Sequence, residues 1–348
     1  MINILGINIS TLNKKQVLEK IERFLFSGKD GQYQIVTPNP EFLLQAQKNV
    51  RGKLYSLVYG YPVALNVDPV EKKPLFHFMP GSFTYSLGAL GCNFFCANCQ
   101  NWDISQAQDI ENKVKSMEFF EPERIVKEAI ENECKSISYT YIEPTIFTEY
   151  ALDIMKLAKQ KGLKNIWVSN GFMSTECLDA ILPYLDAINV DLKSMDDDFY
   201  TDNCGAKIQP VLDNIKQIKK ADIHLEITTL IIPTLSDKLE MLKRTAEFIA
   251  FELDFDAPWH LSKFSANISW KLKHLPDTSD CLIYQAYEIG KEAGLKYIYV
   301  GNIPGDQKEN TYCPACGELA IRRLGYHIER LDSKGRCAYC DKDLGIVL

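Results

Sequence analysis

Residues 83–105 read FTYSLGALGCNFFCANCQNWDIS. The first six form a β-rich run, and Cys92, Cys96 and Cys99 follow it in the spacing C-x3-C-x2-C. A zinc site that only holds a fold together closes with four ligands, yet the nearest histidine, His77, stands 15 residues upstream. Three thiolates in one loop can instead wrap a cubane, one sulfur to each of three irons, which leaves a fourth metal position open for chemistry. From the residues alone, zinc with a distant fourth ligand and an unligated trio both stay open.

Working outward, the same strand-then-loop pattern repeats. SISYTY (136–141), NIWVS (165–169), AINVDL (187–192), HLEITTLII (224–232), PWHLSKF (258–264) and YIYVG (297–301) alternate with stretches whose apolar residues recur at three- and four-residue spacing. Pro122 opens one helix, with Ile125, Val126, Ala129 and Ile130 on one face. Ser174 is an N-cap for the next, with Cys177, Leu178, Ile181 and Leu182 inward. A further helix carries Ile208, Val211, Leu212, Ile215 and Ile218. Strands joined by helical crossovers predict an α/β fold, a full or partial TIM-like (β/α) barrel whose chemistry sits where strands end and loops begin.

Flanking this core, residues 51–80 are expected to be a β-hairpin linker turning at Gly60-Tyr61-Pro62. Residues 303–348 hold two C-x2-C pairs and several glycines and suit a small metal-stapled appendage. The domain organisation expected is therefore 1–50, 51–80, 81–302 for the barrel and 303–348.

The chain has 348 residues, 46% of them apolar, and a formal net charge of −7. No lysine/arginine run marks a nucleic-acid footprint, which argues against nucleic acid as a partner. No apolar run reaches the roughly 18 residues of a membrane span, and MINILGINIS has no cationic leader, so the expected location is the cytoplasm. Eleven cysteines in a reducing compartment point to metal where they cluster. Four stand singly, Cys134, Cys177, Cys204 and Cys281, and read as small buried apolar residues.

C-x3-C-x2-C after the first strand of a β/α barrel resembles the signature of the radical S-adenosylmethionine (radical SAM) enzymes. Over roughly residues 52–348 the chain resembles in particular the AmmeMemoRadiSam-system radical SAM proteins, relatives of the pyruvate formate-lyase activating enzymes. The shared strings are EKKPLFHFMPGS (71–82), GCNFFCANCQNWDIS (91–105), YTYIEPTIF (139–147), NVDLK (189–193), PWHLSKF (258–264) and YVGNIPG with ENTYCPACG (299–317). This resemblance implies a 4Fe-4S cluster on Cys92, Cys96 and Cys99. Its open iron would chelate the methionine end of SAM, and reductive cleavage would yield a 5′-deoxyadenosyl radical that takes hydrogen from a substrate.

It also implies roles at successive strand ends. Glu143, in Tyr-Ile-Glu-Pro, would accept a hydrogen bond from the SAM ammonium; the plainer alternative is a glutamate favoured at a helix N-terminus, with Pro144 at the first helical position. Ser169 and Asn170 resemble a Thr-Asn-Gly motif near the methionine carboxylate and ribose. Asp191 and Lys193 share one side of their strand and would contact the methionine end, or simply form an ion pair. His260 is a candidate for adenine or substrate contact, or a satisfied core histidine; Lys263, His77, Tyr139 and Tyr141 are weaker candidates. Two positions depart from the family pattern within the barrel: Asn98 stands where an aromatic usually precedes the third cysteine, with Phe95 nearby, and Ser265-Ala266 replaces a histidine or aromatic with proline.

Cys313, Cys316, Cys337 and Cys340 have near zinc-ribbon spacing, and four thiolates close a zinc shell. A rubredoxin-like iron and an auxiliary iron–sulfur cluster remain alternatives. Residues 4–49 resemble the N-terminus of WecG/TagA-type glycosyltransferases, including Thr37-Pro38-Asn39-Pro40-Glu41. They are too few for a complete nucleotide-sugar site.

The function expected is reductive SAM cleavage for hydrogen abstraction from a peptide or protein. A flavodoxin or ferredoxin would be the reductant, and Memo-like and AMMECR-like domain proteins would be partners. Alternatives are a glycyl-radical-enzyme activase and, from another class, a non-catalytic metal-binding scaffold.

Overall fold

The computed structural model describes residues 46–50 and 53–348. Residues 1–45, which carry most of the glycosyltransferase-like stretch, lie outside the described residues. Strands β1 (Gln47–Val50) and β2 (Lys53–Ser56) form an antiparallel pair. The central sheet runs from β3 (Ala64–Pro69) and β4 (Phe83–Gly88) through β5 (Ser136–Tyr139), β6 (Lys164–Ser169), β7 (Ala187–Asp191) and β8 (His224–Ile231) to β9 (Trp259–Lys263) and β10 (Ile298–Gly301). Each strand neighbours the next in sequence, all parallel from β4 onward, while β3 lies antiparallel to β4. Because β3 and β10 remain as edges, the barrel is partial.

The crossovers are α1 (Pro122–Glu131), α2 (Thr148–Gln160), α3 (Thr175–Ile181), α4 (Gln209–Lys220), α5 (Leu239–Phe248) and α6 (Asp280–Glu292). Their starts follow the sequence rules. Pro122 opens α1, and the Ser174 and Ser279 hydroxyls accept from Cys177 N and Leu282 N to cap α3 and α6. Ile125, Val126 and Ala129 are buried as expected, but Ile130 lies at the edge of that face and is 47% exposed.

One expectation fails. The run 54–67 is not a hairpin about Gly60-Tyr61-Pro62, because β2 pairs with β1 whereas β3 leaves that pair and edges the barrel. Both halves have strand character, so local pattern could not choose their partners; Asn66 and the buried Asp68 of β3, both hydrogen-bonded to Tyr141, reward the barrel.

Residues 70–82 fold beneath the barrel and plug its floor. Val70, Leu75 and Phe78 are buried there with Ile166 and Ala187 from the starts of β6 and β7. A small antiparallel ribbon, β11 (Thr311–Tyr312), β12 (Leu319–Leu324) and β13 (His327–Arg330), follows β10. The chain end returns to the floor, where Val347 bridges Phe78, with Met79 N donating to Val347 O at 2.8 Å and Val347 N to His77 O at 2.8 Å. From the ribbon Arg323 reaches inward, donating to Thr311 Oγ1, Glu309 O and Phe76 O while its guanidinium covers the Phe76 ring.

Candidate functional site

Beyond β4 the backbone turns at Gly91, whose φ of +98° is a conformation that side-chain-bearing residues rarely adopt. The loop that follows is anchored on several strand ends at once. Phe95 N and Ala97 N donate to Cys204 O and Asn203 O at 2.8 and 2.9 Å, behind β7. Lys271 N and Trp270 N donate to Ala97 O and Cys99 O at 2.8 and 3.1 Å, behind β9. Asn101 Nδ2 donates to Tyr141 O at 2.7 Å, and Asn93 Nδ2 to Phe172 O at 2.7 Å, which ties the loop to the ends of β5 and β6. Such a loop is held because its backbone and two asparagine side chains are spent on four other loops, which is what a ligand scaffold needs.

Within it Cys92, Cys96 and Cys99 are free thiols, each partly buried. Burial, with Cys96 beside it, pushes the Cys92 thiol up; burial does the same to Cys99 against a hydrogen bond to Ser105. Crowded, desolvated thiols of this kind become thiolates when a metal cation compensates their charge, so the donor set fits a metal centre. Among the described residues, the sulfurs of Cys313, Cys316, Cys337 and Cys340 all lie within 4.8 Å of one another.

Beside the trio, Glu143 and β6 form one polar unit. The Glu143 carboxylate accepts from Ser169 Oγ at 3.0 Å, Asn170 N at 2.8 Å, and Thr145 N and Oγ1 at 3.2 and 2.6 Å. Burial raises its pKa, opposed by these donors. Asn170 Nδ2 donates to Asn93 Oδ1 at 2.7 Å, so Glu143, Ser169, Asn170 and the cysteine loop are brought together as one array. Glu143 thus binds its own strand ends together, a job that the sequence pattern left undecided.

Asp191 and Lys193, at the end of β7, pair at 3.0 Å. Burial disfavours the Lys193 cation, but Asp191, Cys96 and Cys204 together hold it well above the usual lysine range. A retained cation next to cysteine sulfur can meet a carboxylate or compensate thiolate charge.

His260 stands apart. Its Nε2 lies 2.6 Å from Glu226 Oε2, and its ring stacks on Tyr299 at 5.3 Å and meets the edge of Phe76 at 4.7 Å. Glu226, fully buried, also accepts from His224 Nε2 and from the backbone amides of Phe76 and His77 in the floor segment. The expectation that His260 contacts adenine or substrate is therefore corrected: its ring is committed to the floor network. His77 belongs there too, while Tyr139 is buried against Trp167 and Lys263 pairs with Asp280 at 2.6 Å. Phe95 packs edge-on against Trp270 under the Lys271 ammonium, and Asn98 Oδ1 accepts from Asn203 at 2.9 Å, so the departure at Asn98 leaves no loose side chain.

The sequence pattern missed several members of this site. Asn93, Asn101 and Asn203 position the loop, and the carbonyls of Asn203 and Cys204 accept from Ala97 N and Phe95 N on either side of Cys96. Tyr141, in the left-handed region at φ +71°, donates from its phenol to Asp68 at 2.7 Å, with the buried Lys73 on the same carboxylate at 2.6 Å. A Cβ at Gly88 would lie 2.7 Å from Thr140 O and 3.2 Å from the Tyr141 side chain, so this glycine makes room for that ring.

At the ribbon, the paired knuckles turn at Gly317 and Asp341, both with positive φ, and bring Cys313 to 3.5 Å from Cys340 and Cys316 to 3.6 Å from Cys337. Backbone amides at Cys340 and Tyr339 pull the Cys337 thiol down to about 7. Four thiols this close fit one tetrahedral ion such as zinc.

A fold of parallel strands with three cysteines behind the first of them defines a class, enzymes that join an iron–sulfur cluster to SAM. The Radical SAM superfamily model matches residues 88–249. An uncharacterized protein of Methanocaldococcus jannaschii is 42% identical over 87% of this chain and 89% of its own length. The pyruvate formate-lyase-activating enzyme of Clostridium pasteurianum is 24% identical over 46% of this chain and 66% of its own. A domain of a pyruvate-formate lyase-activating enzyme from Bacteroides vulgatus superposes with a TM-score of 0.42 at 20% identity, covering 48% of this chain and 99% of that one. The chain belongs to the radical SAM superfamily, which implies a 4Fe-4S cluster and SAM as cofactors. No helix among the described residues is long and apolar enough to cross a membrane.

Proposed function

We propose that this protein is a radical SAM enzyme that abstracts hydrogen from a peptide or protein substrate in the cytoplasm. Cys92, Cys96 and Cys99 would hold the cluster, and Glu143, Ser169, Asn170, Asp191 and Lys193 would face the cofactor. When bound, cluster and SAM supply a 5′-deoxyadenosyl radical. The chain's own part is positional: the cysteine loop is braced on four strand-end loops, Lys193 offers a cation for a carboxylate, and Asn93 with Asn170 fixes the loop against β6. The observation that carries this reading is that braced loop lying next to the Glu143–Ser169–Asn170 array. A non-catalytic scaffold has no use for buried polar groups at successive strand ends.

In this reading residues 81–302 are the catalytic unit, and Cys313, Cys316, Cys337 and Cys340 staple residues 303–348 with zinc. A flavodoxin or ferredoxin would deliver the electron, with Memo-like and AMMECR-like domain proteins as partners. Activation of a glycyl radical enzyme is the second reading, favoured by the names of the curated activating enzymes among its relatives; a glycyl radical enzyme encoded nearby would support it. The test is anaerobic reconstitution with iron and sulfide, then EPR of the reduced protein with and without SAM. A cluster signal that SAM perturbs, and that Cys96→Ala abolishes together with 5′-deoxyadenosine formation, is expected. A signal indifferent to SAM would overturn the proposal.

A further inference from the structure

The segment that follows β9 clamps the cysteine loop and carries a basic surface. Lys271 N donates to Ala97 O at 2.8 Å, Trp270 N to Cys99 O at 3.1 Å, and Ser269 Oγ to Ala97 O at 3.2 Å. The Lys271 ammonium stands 4.0 Å from the centre of the Phe95 ring and 3.9 Å from that of Trp270, so it covers both. Lys271, Lys273 and His274 are exposed, close in sequence to Ile268 at 55% exposure. Among the described residues no ion pair holds any of these three bases, and the carboxylates that follow them are engaged elsewhere. Asp277 Oδ1 accepts from Ala266 N at 2.7 Å, and Asp280 pairs with Lys263 at 2.6 Å. On a chain of formal net charge −7 this leaves an uncompensated basic patch, one hydrogen bond from the backbone of Cys99.

Resting on the reading that Cys92, Cys96 and Cys99 hold a 4Fe-4S cluster, we propose that this patch is where an acidic one-electron carrier protein docks to reduce it. The step moves one electron from the reduced carrier to the oxidised cluster, and no bond forms or breaks. Opposite charge steers such a carrier to the patch and raises the encounter rate by about ten- to a thousandfold, an effect that salt removes. Electron-transfer complexes are small and transient, so two lysines, a histidine and one exposed isoleucine suffice where a lasting interface would need a broad apolar face. The half-buried Phe95 and Trp270 lie between the patch and the cysteines, so a carrier seated there is separated from the cluster by a single layer of side chains and the loop itself.

The test is the rate at which a reduced flavodoxin or a reduced ferredoxin, both acidic proteins, bleaches the visible absorbance of the reconstituted holoprotein in anaerobic stopped flow at low and high salt. For the wild type the second-order rate constant with at least one carrier should fall about tenfold or more as salt rises. The double variant Lys273→Glu, His274→Glu should lose about tenfold at low salt and keep little salt dependence. Photoreduced deazaflavin, a small reductant that needs no docking surface, should reduce wild type and variant alike. Lys271→Gln is the second variant, with the same expectation in weaker form and with iron content as the check that the loop still holds. A double variant that both carriers reduce at the wild-type rate overturns the proposal. So does a wild type whose reduction by both carriers ignores salt. Self-association at low salt that the double variant abolishes, read by sedimentation, would assign the patch to a second copy of the chain and overturn it too. A wild-type protein that assembles no four-iron cluster fails at the earlier reading instead, a failure read from iron content and not from rates.

Discussion

His260 Nε2 and Glu226 Oε2 lie 2.6 Å apart beneath the barrel, and the same carboxylate takes the backbone amides of Phe76 and His77 at 3.0 and 2.8 Å. One buried glutamate thus joins β8, β9 and the floor segment. His224, Tyr299 and Arg323 crowd the same space, the last brought in from the metal ribbon. The floor of the barrel is therefore built from pieces far apart in sequence, and the catalytic face is a separate construction.

Removing His260 should accordingly cost stability and spare chemistry. Removing one partner of a buried hydrogen bond typically costs about 1–3 kcal/mol, and more where the group left unpaired is a carboxylate. His260→Leu should fall near that range in urea unfolding, with SAM cleavage per folded molecule unchanged. A selective loss of 5′-deoxyadenosine formation in a fully stable variant would return His260 to the cofactor site.

His77 makes the floor sensitive to acid. Leu344 O can only accept, so Nδ1 carries the proton toward it at 3.0 Å, and Nε2 accepts from Tyr299 at 2.6 Å. Burial holds the folded pKa down at about 3, against an ordinary value of 6.5. Below pH 6.5 the unfolded chain therefore binds a proton that the folded chain refuses, and stability falls as pH falls. Between pH 6.5 and 4.5 this one group should remove roughly 2–3 kcal/mol, at 1.36 kcal/mol per unit. Glu226, held well below its ordinary range, adds a loss of the same sign below about pH 4.5. In urea titrations at stepped pH, His77→Gln should flatten the upper part of that slope.

The ribbon metal should matter to the barrel as well as to the ribbon, because Arg323 and Val347 both lock the floor. Cys316→Ala should lower Tm by about 5 °C or more, on a scale of roughly 2–4 °C per kcal/mol, while iron stays at four per chain. Metal analysis of the wild type should give one zinc; more than four irons and no zinc would assign the ribbon to iron.

Gly88→Ala probes the packing that seats Tyr141. The new methyl would meet Thr140 O at 2.7 Å, a backbone atom that cannot swing away. Overpacking of this kind typically costs about 1–3 kcal/mol. Denaturant midpoints would show it, and an unchanged midpoint would mean that the β4–β5 seam is looser than the structure has it.

What the sequence determined by itself was the periodic part. Runs such as 83–88, 164–169 and 224–231 become strands because alternation and β-branched content are local properties, and helices between them force a parallel sheet. The cysteine spacing likewise announced a metal loop. Tertiary structure alone decided which strand-end groups meet. Strand alternation tells which face a side chain takes but not its height along the barrel, so His260 could be placed inside yet not at the floor. Nor can any local pattern pair Phe95 with Cys204, Glu143 with Asn170 or β2 with β1, since those contacts exist only once the barrel has brought the loops together.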